Sequence, residues 1–171
     1  MRLLPPTVLL SALLNGLLMA APVQAQAVSA PQLKAQVLLK ALRFIEWPAD
    51  ALAEQQPLQL CLPEEGELAR ELATLNGQHV NRHALQVRLL RQRHLAGCHL
   101  ALVGPEGAWT GAGATLLITE TAGLLERGAM LNLQVEDGRV VFDIELDAAR
   151  RAGLEFSARL LRLARFVKKS G

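Results

Sequence analysis

Apolar residues along this chain switch between a helical and a strand period, and the switches mark out the elements. Leu33, Val37, Leu38, Ala41, Leu42 and Ile45 recur at helical spacing. Ser29 is placed to cap that helix, and Pro31 falls in its first turn, where a missing N–H costs nothing. Pro48, after Trp47, predicts the stop. Leu58 to Leu62 alternates as a short strand, broken by Pro63 and Gly66. Glu67 to Leu75 puts Leu68, Leu72 and Leu75 on one helical face and ends at Asn76-Gly77. Leu85, Val87 and Leu89 alternate in a strand from His83 to Leu90. Cys98 to Val103 and Thr115 to Ile118 are largely apolar runs, as strands covered on both faces are. Gly123 to Arg127 has room for one helical turn.

Met130 to Val135 and Arg139 to Leu146 flank Glu136-Asp137-Gly138, a hairpin signal because Asp-Gly accepts positive φ. Asp147 is expected to cap a short helix to Ala152, and Ser157 to cap a last helix reaching Lys169. This order predicts a single α/β domain over 29–169 with a mixed sheet of about five to six strands flanked by helices. The parallel part comes first, and a C-terminal β-hairpin followed by helices comes last.

The N-terminal pattern is of another kind. Arg2 precedes an apolar run from Leu3 to Ala21, followed by Pro22-Val23-Gln24-Ala25-Gln26-Ala27. A basic start, an apolar middle and small residues at alternate positions are the parts of a secretory signal peptide over 1–25, with cleavage after Ala25 or Ala27. The alternative is an uncleaved anchor, but Pro5, Pro6, Asn15 and Gly16 interrupt the run a membrane span needs. The mature chain is expected outside the cytoplasm, in the periplasm.

About 145 residues then remain, an ordinary single domain. Loss of Arg2 leaves 17 basic against 16 acidic residues, a balance with no general pull toward nucleic acid. Four Phe, two Trp and no Tyr leave few platforms for bases. Two cysteines, Cys61 and Cys98, read as one disulfide in an exported protein, with two buried free thiols as the alternative.

Candidate chemistry is sparse, and neither a catalytic nor a metal site nor a cofactor is expected. No Gly-x-Ser-x-Gly occurs, and beyond the leader the only serines are Ser29, Ser157 and Ser170. His79 and His83 sit at a turn rather than on one helical face, and Cys61, Cys98 and His99 lack the second close-spaced pair of a structural zinc site. The Gly-rich stretch from Gly104 through Gly107 to Gly113 follows a strand, where open α/β sheets bind ligands, but it lacks the Lys-Ser/Thr ending of a Walker loop. Gly104, Gly107, Thr119 and Glu120 are the candidate ligand crevice. Two segments are candidate partner surfaces. One is the first helix end, with Arg43, Phe44, Glu46 and Trp47. The other is the last helix, with Arg159, Arg162 and Arg165 at spacing three before Lys168 and Lys169; an acidic partner or anionic head groups would suit it.

Three blocks together resemble the YfiR/HmsC-like family of periplasmic regulators, formerly a domain of unknown function. The first is Leu33-Lys34-Ala35 with Phe44-Ile45-Glu46-Trp47-Pro48. The second joins Leu60-Cys61-Leu62, Leu75 to Arg82 and Ala96-Gly97-Cys98-His99. The third joins Gly123 to Met130, Gly138 to Ile144, Ala152-Gly153-Leu154 and Ser157 to Ala164. The resemblance implies an α/β sheet protein, often dimeric, with a disulfide at Cys61 and Cys98. It also implies a regulator rather than an enzyme. Such a regulator would bind the periplasmic sensor domain of an inner-membrane diguanylate cyclase and hold it inactive. An outer-membrane lipoprotein would sequester the repressor, with cyclic di-GMP and biofilm formation following. A small-ligand sensor of nucleotides or amino acids, feeding a membrane histidine kinase, is the alternative. The chain departs from the family pattern at Leu39-Lys40-Ala41, at Ala129 in place of Gly, and at Glu145 where Asn is common.

Overall fold

The computed structural model describes residues 27–106 and 108–169, so the leader expected over 1–25 and Gly107 lie outside the described residues. Ser29 caps α1 (Ala30–Ala41), its side chain accepting from the Gln32 N–H at 3.3 Å. The helix stops earlier than Pro48 predicts. A 3-10 turn over Leu42–Phe44 leads into β1 (Ile45–Glu46), because those two residues pair with a distant segment instead of continuing the helix.

Next come β2 (Leu58–Leu62), α2 (Glu67–Ala73), β3 (His79–Val80) and β4 (His83–Leu89). They are followed by β5 (Leu100–Leu102) and β6 (Leu116–Thr119). The hairpin is β7 (Leu131–Glu136) and β8 (Arg139–Glu145), closed by Asp137 at φ 49° and Gly138 at φ 73°. Then come α3 (Leu146–Arg151), β9 (Glu155–Phe156), α4 (Ala158–Leu163) and β10 (Phe166–Lys168).

Eight strands form one sheet in the order β10-β8-β7-β6-β5-β2-β4-β3, and β1 pairs antiparallel with β9 in a small second sheet. From β4 through β7 the strands run parallel; the β7–β8 hairpin and β3 are antiparallel, and β10 returns parallel to β8. All of β5 and β6 and most of β2 are buried, as strands covered on both faces must be. Ala35, Leu38, Ala41 and Leu42 from the first helix and turn, with Leu68 and Leu72 of α2, join that core.

The mixed α/β class is as expected; the main sheet has eight strands against the about five to six predicted, through β3 and β10, and the small β1–β9 sheet was not anticipated. β3 is a two-residue return before β4. β10 replaces the end of the predicted last helix. Ser157 does cap α4, accepting from the Leu160 N–H at 3.3 Å. But Ala164 turns extended, and the Arg165 N–H donates to the Phe142 carbonyl at 2.9 Å, docking the segment on β8. Asp147 also differs from expectation: it lies inside the first turn of α3 rather than capping it. No helix among the described residues is long and apolar enough to cross a membrane.

Cys61 on β2 and Cys98 before β5 form a disulfide with Cα atoms 5.8 Å apart. Arg88 of β4 covers it, its Nε donating to Cys61 Sγ at 3.1 Å and its Nη2 to Cys98 Sγ at 3.4 Å and to the Ala96 carbonyl at 2.5 Å. The crosslink spans a sequence separation of 37 and removes loop-closure entropy from the unfolded chain. Replacing both cysteines with Ser should lower stability by roughly 3–4 kcal/mol. That is a fall of about 10 °C in melting temperature, read by thermal melts under oxidising conditions. An unchanged melt would show that the bond does not stabilise the fold.

Candidate functional site

The residue blocks that lie far apart in the sequence meet around Trp47. Its indole is half-buried, and Nε1–H donates to the His99 carbonyl at 3.0 Å. Pro48 packs against Gly153 at the end of α3, where an added Cβ would lie 3.4 Å from the Pro48 ring. That is ordinary contact, and it is the backbone of Gly153, at φ 75°, that favours the missing side chain. On the other side of Trp47, Ile45 and Glu46 pair with Phe156 and Glu155, and the Ser157 N–H donates to the Phe44 carbonyl at 3.0 Å. Ile45 and Phe156 are buried, while Glu46 and Glu155 face solvent.

His99 holds this junction to the main sheet. It is 6% exposed, yet all its polar groups are used. Its N–H donates to Gln59 O at 3.0 Å, and its carbonyl accepts from Leu116 N at 2.9 Å as well as from Trp47. Nδ1 accepts from the Gln59 N–H at 2.8 Å, so that nitrogen carries no proton. Nε2 lies 3.0 Å from the Ala51 carbonyl and is therefore the protonated one. Burial pushes the imidazole below its ordinary value of 6.5; the hydrogen bond to Ala51 opposes this, and His83 and Arg88 add to it.

The structure brings two of the predicted partner residues into contact. The Arg159 guanidinium lies over the Phe44 ring, 5.3 Å from its centroid, a cation–π pair near the surface. Arg162 is exposed one turn further along α4, and Arg43 and Glu46 are exposed on the first segment. The face at Phe44 and Arg159 does not gather the other two: Arg43 lines a groove with Gln36 and Lys40 of α1 and Glu71 of α2, and Glu46 lines another with Asn81 and Arg82. Trp47 belongs to the junction beneath this face and not to its surface.

Arg165 is separated from the other arginines. It lies past the helix end and makes a bidentate pair with the buried Asp143, Nε at 2.9 Å and Nη2 at 2.5 Å, which raises its pKa further. The predicted basic helical stripe is thus Arg159 and Arg162 alone.

The candidate crevice also divides. Thr119 is fully buried and its Oγ1 accepts from the Thr121 N–H at 3.1 Å; Glu120 pairs with Lys34 of α1 at 2.6 Å. The first bond holds the turn after β6, and the second ties α1 to the sheet. Gly104 does line clefts, two of them, at the carboxyl ends of the parallel strands. One, of about 310 Å³, is bounded by Val103, Trp109, Leu117, Leu124 and Arg127. The other, of about 630 Å³, lies among Glu64, Glu65, Gln92, Arg93, Glu106 and Trp109. β2 is followed in sequence by β4 on one side of it and then β5 on the other, so this second cleft sits where the strand order reverses. Trp109 lines both clefts. A large aromatic within a Gly-rich turn after a strand was its signal in the sequence.

A protein-family model described as YfiR/HmsC-like matches residues 31–165. No curated protein matches the chain.

His99 makes stability depend on pH. The unfolded chain takes up the proton more readily than the folded one. The contribution of His99 is therefore fully present above pH ~6.5 and is lost as the pH falls toward the lowered folded-state value. Urea unfolding at a series of pH values should show stability declining from about pH 7 to pH 5. His99→Gln should flatten that decline and cost roughly 1–3 kcal/mol at neutral pH. A slope unchanged in the variant would assign it to other groups.

Proposed function

The chain belongs to the YfiR/HmsC-like family, and on that footing we propose that it is a periplasmic binding protein that represses an inner-membrane diguanylate cyclase. Its output is then cyclic di-GMP level and biofilm formation. The observation that carries this reading is the junction around Trp47: the blocks by which the chain resembles its family fold together there. They leave Phe44 and Arg159 in contact near the surface, with Arg162 exposed one turn further along α4. An aromatic with arginines beside it is the composition of protein-binding hot spots.

The mechanism is a shift of populations. The repressor binds the inactive arrangement of the cyclase sensor domain more tightly than the active one, and only that difference in affinity lowers the cyclase output. A leader over 1–25 places the domain apart from the cytoplasmic GTP the cyclase consumes, so the effect passes through the membrane-spanning partner. An outer-membrane lipoprotein that occupies the same face would relieve the repression.

A second reading rests on the two clefts lined by Trp109, which have the location and size of small-ligand sites. In it the domain senses a nucleotide or an amino acid and signals to a membrane histidine kinase. A thermal-shift screen with both ligand classes tests it: a rise in melting temperature that Trp109→Ala removes supports a sensor, and a flat screen counts against one.

For the leading reading, deleting the gene should raise cellular cyclic di-GMP, and the wild-type chain should restore it. Arg159→Glu should fail to restore it while melting within a few degrees of wild type, since the side chain is exposed. Unchanged cyclic di-GMP on deletion, with no cyclase recovered alongside the tagged chain, would overturn the reading.

A further inference from the structure

The smaller of the two clefts at the carboxyl ends of the parallel strands has a composition of its own. Val103 after β5, Leu117 of β6, Leu124 and Ala129 form its wall, all of them buried residues, and Trp109 adds a half-buried ring. The one charged group lining it among the described residues is Arg127, at the end of the 3-10 turn Leu125–Arg127. Arg127 is exposed, and it reaches from that turn to the loop after β5, where its Nη1 donates to the Pro105 carbonyl at 3.2 Å. That bond holds the guanidinium beside the cleft.

The charge here is not matched from within the chain. Glu126 is engaged by Lys168 at 3.2 Å and Glu106 by Arg93 at 3.5 Å, while Glu64 and Glu65 line the larger cleft and not this one. A guanidinium carries five N–H donors in a fixed fork. With one spent on Pro105, the others are left to face a ligand, and a carboxylate is the group that matches two of them at once. The apolar wall narrows the choice further. A free amino acid would lose the water around its ammonium with no carboxylate in the cleft to receive it. A nucleotide brings more negative charge than one arginine answers, and a polar base and sugar besides. A cleft of about 310 Å³ has room for roughly ten water-sized groups, at about 30 Å³ each.

We propose that this cleft binds a small organic monocarboxylate with an apolar body, roughly ten non-hydrogen atoms in all. The carboxylate lies on the Arg127 fork, and the body lies against Leu117, Leu124 and Trp109. The inference rests on the reading of the two clefts as ligand sites and names the ligand of one of them.

Octanoate is the probe, with octanol as its uncharged control and octylammonium as its cationic one. Calorimetric titration of the purified chain should show octanoate binding, octanol binding about tenfold more weakly, and octylammonium not binding. The chain has two tryptophans, Trp47 and Trp109, so their indole N–H resonances locate the site: the Trp109 signal should move and the Trp47 signal should stay. Arg127→Gln should weaken octanoate about tenfold and leave octanol unchanged, and Arg127→Lys should restore part of the loss. Ala112→Leu, at an exposed position lining the cleft, should block octanoate without lowering the melting temperature of the free chain. Octanoate no tighter than octanol, an affinity that Arg127→Gln leaves unchanged, movement of the Trp47 signal alone, or no binding would overturn the proposal. A nucleotide or amino acid that moves the Trp109 signal while octanoate does not overturns it too, yet leaves the sensor reading standing. Octanoate bound at Trp109 with no effect on a membrane kinase supports the site and removes the sensor reading, so the two fail separately.

Discussion

The imidazole of His99 has to be neutral, with its proton on Nε2, for the middle of this molecule to close. Nδ1 meets a backbone N–H that can only donate, and Nε2 meets a carbonyl that can only accept. No other tautomer, and no imidazolium, satisfies both. One residue thereby ties β2 through Gln59, β6 through Leu116, the Pro48–Pro57 connection through Ala51, and the end of the first helix through Trp47. Its neighbour Cys98 is covalently bound to β2. Thr115 Oγ1 donates to the Cys98 carbonyl at 2.7 Å, adding a buried bond to the same joint. Removal of any one partner strands a buried polar group, which costs more than the bond itself contributes. The candidate surface stands on this joint, since Phe44 and Arg159 meet only where Trp47 and Pro48 have been fixed.

Elements governed by short-range chemistry were legible in the sequence. Asp137-Gly138 closes a hairpin because of its own φ preferences, and Ser29 and Ser157 cap helices because an oxygen beside free N–H groups is favourable wherever it occurs. The apolar runs of β5 and β6 announced strands covered on both faces. What escaped was decided by partners remote in sequence. Leu160, Leu161, Leu163, Ala164 and Val167 imitate a helix, and the arginines at spacing three complete the imitation. Asp143 nonetheless holds Arg165, and the β8 edge takes the segment as a strand. Ile45 and Glu46 leave the first helix for the same kind of reason, a pairing with Glu155 and Phe156.

The candidate site was legible as residues but not as a place. Phe44 and Arg159 were both readable as exposed chemistry, and nothing in their spacing said that one guanidinium would lie over the other's ring. Glu120 meets Lys34 of α1, a contact between helix and strand that no local pattern encodes.

Several residues of the family resemblance bear on fold more than on partner choice. Trp47, Gly153, Ser157, Cys98 and His99 each have a structural task already. The departures from the family pattern are more informative about this chain. Ala41 is buried and Leu39 half-buried in the first helix, so two of those three substitutions alter packing and only Lys40 alters the surface. Glu145 is different. It places a carboxylate, 2% exposed, at the start of α3 and at the end of β8 beside β10, where Lys168 lies 4.0 Å away. A buried carboxylate is tolerable beside a cation and a helix N-terminus and costly without them. The glutamate and the lysine are therefore best understood as one feature, a charge pair between the neighbouring strands β8 and β10.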